Sequence, residues 1–276
     1  MLAFTHIPKT GGTTVTDILI NEYGTKLISI IPRSGQTYRY SDLKEDLRIY
    51  KNPSCMTGHY LKPFVDFKEY DEKMEWFTFL RDPTKTFISL YIHQFTGKHA
   101  KYKVEFLDWM TKFNRKNRIV NWIAGENNLE KAKEIIERKF KFIGITEKFD
   151  ESLVLLKEKF NLKSIDYSIK MESRDPHLKN QLLNNLASFE DQIMLNNDLD
   201  TELYHYVLNK IFPLQIEKMG YEKFSKSLQE IKQNKQTGNH TGNSKINKIT
   251  YRVKRNLVYK PFVFINSKLM KHQIKT

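Results

Sequence analysis

The chain has 276 residues, of which 39% are hydrophobic and 13% are aromatic, which excludes an intrinsically disordered protein and is enough for one large α/β domain. The formal net charge is +14, yet residues 221–276 hold 13 Lys and Arg against 2 Asp and Glu, so the body is nearly neutral and does not indicate a nucleic-acid-binding domain. The one cysteine, Cys55, excludes an internal disulfide framework and favours a reducing compartment.

Apolar runs alternate with amphipathic periodicities along the first 160 residues. Strands are predicted at Leu2–Ile7, Lys26–Ile31, Ser54–Thr57, Glu75–Leu80 and Phe142–Ile145. Helices are predicted at Thr13–Tyr23, Asp42–Tyr50, Pro83–Gln94, Val104–Lys112, Arg118–Ala124, Leu129–Phe140 and Phe149–Phe160, and the pattern from Leu178 to Leu228 is mainly helical. This alternation predicts a P-loop-like three-layer α/β fold, with a central parallel sheet flanked by helices and a helical C-terminal region.

The turn between the first strand and the first helix has the composition of an anion-binding loop. Its residues are Pro8, Lys9, Thr10, Gly11, Gly12, Thr13 and Thr14. Glycines let the backbone approach an anion closely, and the first N–H groups of the following helix then point at it. The lysine and the threonine hydroxyls add donors, so the loop suits phosphate or sulfate. An ordinary β-turn with a helix cap is the alternative.

The order of residues in this loop separates it from a Walker A motif. A Walker lysine follows the last glycine, whereas Lys9 comes before both glycines. A small-molecule P-loop kinase would need that lysine together with Mg²⁺. The kinase is therefore a weaker alternative. A basic nucleic-acid-binding protein is another weaker alternative, because the excess of positive charge lies in residues 221–276.

A second strand end supplies a second set of donors. The apolar strand Glu75–Leu80 runs into Arg81, after which Asp82 suits a helix N-cap and Pro83 the first helical turn. Arg81 follows the carboxyl end of its strand, where open α/β sheets bind ligands, and Ser89 lies about two turns along the helix. A guanidinium and a hydroxyl placed in this way predict a second phosphate site.

These segments resemble the 5′-phosphosulfate loop and the 3′-phosphate motif, R-D-P-x-x-R-x-x-S-x-Y, of sulfotransferases. The subgroup they most resemble is the carbohydrate sulfotransferases related to heparan sulfate 2-O- and 6-O-sulfotransferases. Phe142–Asp150 and, more weakly, Asn197–Tyr204 are similar to further segments of these families, so the likeness covers about residues 2–220. Lys85 departs from the pattern, which usually has Arg there, and is not assigned to the site.

The resemblance implies that 3′-phosphoadenosine 5′-phosphosulfate (PAPS) donates a sulfuryl group, in line, to a hydroxyl of a polysaccharide or glycolipid. It assigns residues 8–14, Arg81 and Ser89 to cofactor binding. Lys9 then has a catalytic role as well, because it can stabilise the charge that grows on the departing phosphate. A sulfotransferase that binds the nucleotide without turnover is an alternative, but the presence of all these residues argues against it.

Transfer to a hydroxyl requires a base, and histidine has a suitable pKa. His59 follows a short predicted strand and a glycine, and its place between the two motifs resembles that of the catalytic histidine of the heparan 2-O- and 6-O-type enzymes. We expect His59 to be the general base, with His6 as the main rival. The alternative is that His59 has only a structural role in a turn, where it bonds to backbone. No His, Cys or Asp cluster has metal-ligand spacing, so no metal is predicted.

Two other groups of residues carry weaker expectations. The residues after the second strand, Arg33, Tyr38, Arg39 and Tyr40, could line an acceptor cleft, because aromatic rings stack on sugars and arginines pair with acidic groups. The basic segment at 174–179 is expected to be a solvated loop, with closure over the nucleotide as the alternative.

The C-terminal part differs from the body in composition. Residues 232–248 are polar and without periodicity, which predicts a linker between a sulfotransferase domain at 1–231 and a basic tail at 249–276. The tail mixes Lys and Arg with large apolar residues, which suits an anionic membrane surface or a polyanion, a solvated tail being the alternative. No apolar run approaches ~20 residues and no secretory signal is visible, so a cytoplasmic protein, at most membrane-peripheral, is expected.

Overall fold

Five parallel strands form one central sheet. The computed structural model describes residues 1–33, 35, 37–96, 106–112, 116–167, 183–184, 186–237 and 244–273, and the predicted loop at 174–179 lies outside them. The strands are β1 (Leu2–Thr5), β2 (Leu27–Ser29), β3 (Cys55–Gly58), β4 (Glu75–Leu80) and β5 (Phe140–Ile145), in the spatial order β2-β3-β1-β4-β5. The predicted α/β fold with a parallel sheet is confirmed.

Helices cover both faces of this sheet and form the C-terminal part of the described chain. They are α1 (Gly12–Tyr23), α2 (Tyr40–Ile49), α3 (Pro83–Thr96), α4 (Phe106–Lys112), α5 (Arg118–Ala124), α6 (Leu129–Lys139), α7 (Phe149–Phe160), α8 (Glu190–Asn196), α9 (Asp198–Tyr206), α10 (Phe212–Met219), α11 (Tyr221–Thr237), α12 (Ser244–Val253) and α13 (Lys260–Gln273). The π-helical segments Val207–Ile211 and Lys254–Tyr259 join α9 to α10 and α12 to α13. None of the helices in the ranges given above combines the length and the hydropathy needed to cross a bilayer.

Strand β1 lies at the centre of the sheet and is buried on both sides. Phe4 packs into one cluster with Ile18 of α1, whereas its neighbour Ala3 packs into a second cluster with Met56 and Trp76. This alternation follows from the period of two residues in a strand. Because the strands are parallel, the carboxyl ends of β1, β3, β4 and β5 meet at one edge of the sheet. All the predicted site residues follow these ends.

The polar stretch predicted as a linker is helical where the structure describes it. Helix α11 continues through Thr237, and α12 begins at Ser244. The sequence has no glycine or proline between 221 and 237, so nothing in the backbone ends the helix earlier. The division of the chain into three units stays a prediction.

The C-terminal helices are docked on the body through a buried polar cluster. The hydroxyl of Tyr259 donates a hydrogen bond of 2.7 Å to Asp46, a carboxylate that also accepts from Tyr38 at 2.7 Å and pairs with Arg33 at 2.6 Å. Arg33 and Tyr38 therefore lie in the core, and the expectation that they line an acceptor cleft is wrong. The sequence does not indicate that Asp46, on α2, is buried. Its buried carboxylate is the partner that allows Arg33 and Tyr38 to lie in the core.

Candidate active site

The loop after β1 has the backbone geometry of an anion cradle. Lys9 and Gly11 both have positive φ angles, 69° and 83°, and α1 begins at Gly12 directly after this turn. The N–H groups of Thr14 and Val15 bond to the carbonyl of Gly11, so those of Gly12 and Thr13 precede the first intrahelical bonds. N–H groups in this position, at the positive end of the α1 dipole, suit an anion.

Two threonines of the predicted loop differ in what their side chains do. Thr10 is fully buried, and its hydroxyl donates to the carbonyl of Ile7 at 2.9 Å, so it holds the turn in shape. Thr13 is exposed on the first turn of α1. Thr14 is partly buried beside it. The loop thus divides its polar side chains between its own structure and the open face.

Gly12 is required because the ring of His6 lies against the loop. A Cβ atom built at Gly12 would come within 2.1 Å of the His6 ring, closer than any side chain could tolerate. The His6 ring in turn stacks on the Phe4 ring at 5.6 Å and lies 4.1 Å from the His59 ring. His6 is therefore a packing platform between the loop and His59.

The two predicted phosphate motifs lie side by side. The Nη1 atom of Arg81 donates a hydrogen bond of 3.2 Å to the carbonyl oxygen of Lys9, although 72 residues separate them. Burial, with a smaller contribution from the charge of Arg81, lowers the pKa of the Lys9 ammonium. Two cations thus meet at one sheet edge. In the described residues Lys9 has no carboxylate partner, and Arg81 has only Glu147, whose nearest oxygen is 3.9 Å from Nε.

The third segment of the sequence resemblance fastens this arrangement together. The hydroxyl of Thr146, directly after β5, lies 2.8 Å from the carbonyl oxygen of Thr10 and 2.9 Å from that of Leu80. One side chain therefore ties the loop after β1 to the end of β4. The next residue, Glu147, accepts from the N–H of Asp82 and from the hydroxyl of Tyr204, which fixes its carboxylate beside Arg81.

Helix α3 begins as the sequence predicts. The Asp82 carboxylate accepts from the N–H of Lys85 at 2.8 Å, which is an N-cap hydrogen bond, and Pro83 is the first helical residue. Ser89 is partly buried on this helix, but no hydrogen bond of the described residues joins it to Arg81. Lys85 is exposed. The structure thus places Ser89 on the helix that follows Arg81, and its contact with a phosphate stays a prediction.

The orientation of His59 leaves one ring nitrogen free to accept a proton. Its Nδ1 atom lies 2.7 Å from the backbone carbonyl oxygen of His6. A carbonyl can only accept, so Nδ1 carries the hydrogen and, in the neutral ring, the lone pair lies on Nε2. Although His59 is exposed at the surface of the loop, partial desolvation of its ring lowers its pKa; the bond to His6 opposes this, and the charge of Lys62 adds a smaller lowering. A neutral ring with a free Nε2 is the form that a general base needs.

The rival histidine has a different environment. Burial, together with the neighbouring His59, lowers the pKa of His6 to about 3. His6 is therefore neutral at physiological pH and adds no positive charge beneath His59. Its ring is confined between Gly12 and His59, which favours the platform role over that of the base.

Sequence reasoning missed a buried lysine next to His59. Lys62 is 9% exposed, and its Nζ atom lies over the Trp122 ring, 2.6 Å from the centroid. Burial, with a smaller contribution from Arg118, lowers its pKa to about 6. Lys62 follows His59 by three residues in the same loop, but no pattern in the sequence indicates that this lysine points inward.

Thr5, the last residue of β1, holds the loop of His59 and the helix of Trp122 in place. Its hydroxyl donates to the carbonyl of Leu61, and it accepts from Nε1 of Trp122 at 3.2 Å. The loop that carries His59 and Lys62 and the helix that carries Trp122 are both fastened to one strand end. Trp122 lies on α5, 117 residues from Thr5, so no local signal could have revealed it.

The weakly similar segment 197–204 supports α5 rather than the ligand side. The Asp200 carboxylate is buried and accepts from the N–H groups of Ile119 and Val120 at 2.9 and 2.8 Å. It caps the first turn of α5 and lies near Arg118. Burial raises the pKa of Asp200 to about 7. A narrow cleft beside the loop is lined by Pro8, Pro83, Arg118, Trp122 and Asp200, among others.

The comparison with known families decides what kind of protein carries this site. A sequence model of the galactose-3-O-sulfotransferase family matches residues 59–241, which is more than half of the chain. The chain belongs to the galactose-3-O-sulfotransferase family. The match covers His59, Arg81, Ser89 and Glu147 of this sulfotransferase and begins after the loop at residues 8–14. A search of curated proteins found no match to the chain.

Membership of this family confirms the predicted likeness to carbohydrate sulfotransferases, with a galactose-3-O-sulfotransferase family in place of the heparan sulfate subgroup. It favours sulfuryl transfer over the kinase and nucleic-acid-binding alternatives. Within the described ranges, no group of three or more His, Cys, Asp or Glu side chains could hold a metal ion. That the sulfotransferase works without a metal stays a prediction.

Proposed function

We propose that this protein transfers the sulfuryl group of PAPS to a hydroxyl of a galactose-containing carbohydrate, with His59 as the general base. The observation that carries the proposal is the hydrogen bond of 3.2 Å between Arg81 and the carbonyl of Lys9. It brings two predicted phosphate sites to one sheet edge, as a ligand with a sulfated and a monoester arm requires. The choice of galactose rests on the family match.

In the part of the chain that the structure describes, the two cations of the donor half, Lys9 and Arg81, have between them one carboxylate at 3.9 Å, that of Glu147 beside Arg81. PAPS supplies the sulfuryl group, and its 5′-phosphosulfate suits Lys9 and the N–H groups of Gly12 and Thr13. Arg81 and Ser89 are the proposed donors to its 3′-phosphate. As the bond from sulfur to the bridging phosphate oxygen breaks, Lys9 stabilises the negative charge left on that phosphate.

The acceptor half is organised around His59. The acceptor oxygen forms the new bond to sulfur, and its proton passes to Nε2 of His59, while Nδ1 keeps its hydrogen and donates it to the carbonyl of His6. Tyr60 and Phe64, in the same loop, are 39% and 38% exposed. Exposed aromatic rings beside a base suit the apolar face of a sugar, so we assign these two residues to acceptor binding.

The donor assignment is tested by calorimetric titration with 3′-phosphoadenosine 5′-phosphate, the product that PAPS leaves behind. We expect saturable binding that Arg81→Ala weakens strongly. The acceptor assignment is tested by transfer of radioactive sulfate from PAPS to a β-galactoside and to the matched β-glucoside, with the galactoside preferred. Absence of nucleotide binding would refute the donor, whereas equal transfer to both sugars would refute galactose specificity alone.

The role of His59 is tested by His59→Ala. Loss of a general base lowers turnover by about 10²–10⁴-fold. Because the ring lies on the acceptor side, nucleotide affinity should stay near that of the wild type. His205→Ala, at an exposed histidine on α9, is the matched control and should retain full activity. Near-normal turnover of His59→Ala would remove His59 from the mechanism and return His6 to consideration.

A further inference from the structure

The C-terminal helices have apolar residues on the side that faces away from the body. We call the following six residues the outer stripe: Ile246, Ile249, Val253, Leu257, Phe264 and Ile265. Each is between 51% and 73% exposed. The first four are spaced by three or four residues, so they share one helical face. A helix that covers a soluble protein normally has its polar residues on this side.

The outer stripe cannot be turned inward, because the opposite side of the same helices is fixed to the body. Tyr251, Tyr259 and Val263 are buried at 7% exposure or less. Asn247 donates to the carbonyl of Asn21 at 2.6 Å, and Lys254 donates to the carbonyl of Thr25 at 2.9 Å. These contacts set the rotation of the helices, so the stripe faces solvent in the folded chain.

The positive charge of these helices indicates the chemistry of the surface that the outer stripe suits. Residues 244–273 contain eight Lys and Arg and no Asp or Glu. Arg252 and Lys260 are exposed beside the stripe. A second copy of the same surface would bring two strongly positive helices together, and a soluble polyanion would leave the apolar residues in water. An anionic bilayer offers acyl chains for the stripe and headgroups for the cations.

We propose that α12 and α13, with the π-helical segment between them, form a membrane-binding surface that lies in the plane of an anionic lipid bilayer. The stripe runs from residue 246 to residue 265, which is about 30 Å at the rise of an α-helix. The stripe enters the region between headgroups and acyl chains, and the cations contact lipid phosphates. This proposal goes beyond sulfuryl transfer and does not depend on it.

The test is flotation of the 276-residue chain with vesicles of phosphatidylcholine alone and with vesicles that contain one quarter phosphatidylglycerol. We expect binding to the anionic vesicles, with far weaker binding to the neutral ones. The double variant Val253→Ser, Leu257→Ser should reduce the partition coefficient by at least about tenfold, since both side chains leave water on binding. Arg252→Gln with Lys260→Gln should also weaken binding to the anionic vesicles.

The matched control is Leu195→Ser on α8, because Leu195 is 74% exposed and Leu257 is 73% exposed. It should bind vesicles like the wild type. Thermal melts establish that each variant is folded, and these exposed positions leave the buried contacts intact. Wild-type protein that stays off anionic vesicles would overturn the proposal. A double variant that floats with the anionic vesicles as well as the wild type would also overturn it, because charge alone would then bind the surface, as in a polyanion site. A wild-type dimer in light scattering that the double variant abolishes would overturn it too, because the stripe would then be a dimer interface.

Discussion

Arg33 and Lys9 are both cations removed from most of the solvent, but only Arg33 has carboxylates beside it. Its guanidinium lies 2.6 Å from Asp46 and 3.8 Å from Asp42, and both carboxylates are almost completely buried. Lys9 shares its surroundings with Arg81 and has no carboxylate partner in the described part of the chain. The first group is a closed ionic cluster, and the second is an open one that an anion would complete.

This difference separates a basic residue with a structural role, Arg33, from Lys9, for which we propose a role in binding and transfer. Both Arg33 and Lys9 follow strands at the same sheet edge, but only Lys9 precedes a pair of glycines and a helix, and nothing near Arg33 in the sequence indicates that it is buried. The Arg33 cluster is completed by Tyr259 from the C-terminal helix, which donates to Asp46. The open cluster is held instead by neutral contacts, such as Thr146 to Thr10 and His59 to the His6 carbonyl.

The largest effect should come from opening the closed cluster. Arg33→Ala leaves Asp46 buried without its cation, which should lower the free energy of unfolding by about 3–5 kcal/mol. The measurement is chemical denaturation, with Arg48→Ala as the control, because its pair with Glu45 is exposed and worth at most about 1 kcal/mol. A loss for Arg33→Ala no larger than the control's would mean that the cluster is not structural.

The converse change should affect activity and leave stability intact. Lys9→Ala removes a cation that has no carboxylate partner among the described residues, so unfolding should be little changed, whereas turnover should fall by about 10²–10³-fold. Steady-state kinetics with PAPS and a β-galactoside measure this, and Lys85→Ala at an exposed lysine should behave like the wild type. A change confined to KM would indicate that Lys9 binds the donor equally in the ground and transition states.

A smaller effect should follow from filling the space under the loop. In Gly12→Ala the new Cβ collides with the His6 ring, and overpacking of this kind costs about 1–3 kcal/mol. Because His6 also contacts His59, turnover should fall with stability. Gly35→Ala is the control, since nothing lies within 4 Å of its Cβ and only its backbone angle opposes the change. If Gly12→Ala reduces stability but not turnover, His6 does not position His59.

The smallest effect concerns pH. A general base works in its neutral form, so kcat/KM should be lost as pH falls through the pKa of His59, which partial desolvation and, to a smaller extent, the charge of Lys62 hold below the usual value for histidine. Removing the charge in Lys62→Met should raise this pKa and move the acid limb to higher pH. The limb reflects both groups, because the pKa of Lys62 is itself about 6. If the acid limb of the pH profile does not move in Lys62→Met, the charge of Lys62 does not influence the pKa of the general base.

Much of the candidate site follows from local sequence. The loop at residues 8–14, the cap at Asp82 and the turn after β5 each depend on neighbours a few residues apart, and the structure has them where the sequence predicts. The burial of Arg33, Tyr38 and Lys62 does not follow from local sequence. Each is buried against residues from a different element, and burial of a charged side chain depends on a partner that the local pattern does not contain.

The sequence by itself determined the elements and their order, because the period of apolar residues and the glycines, prolines and caps between them act over a few residues. Tertiary structure decided which side chains meet. Arg81 reaches Lys9 across 72 residues, Trp122 reaches Thr5 across 117, and Tyr259 reaches Asp46 across 213. Only the packing of the sheet and its helices brings such pairs within hydrogen-bond distance. For that reason the closed cluster, the lysine beside His59 and the outward face of the C-terminal helices became visible only in the folded chain.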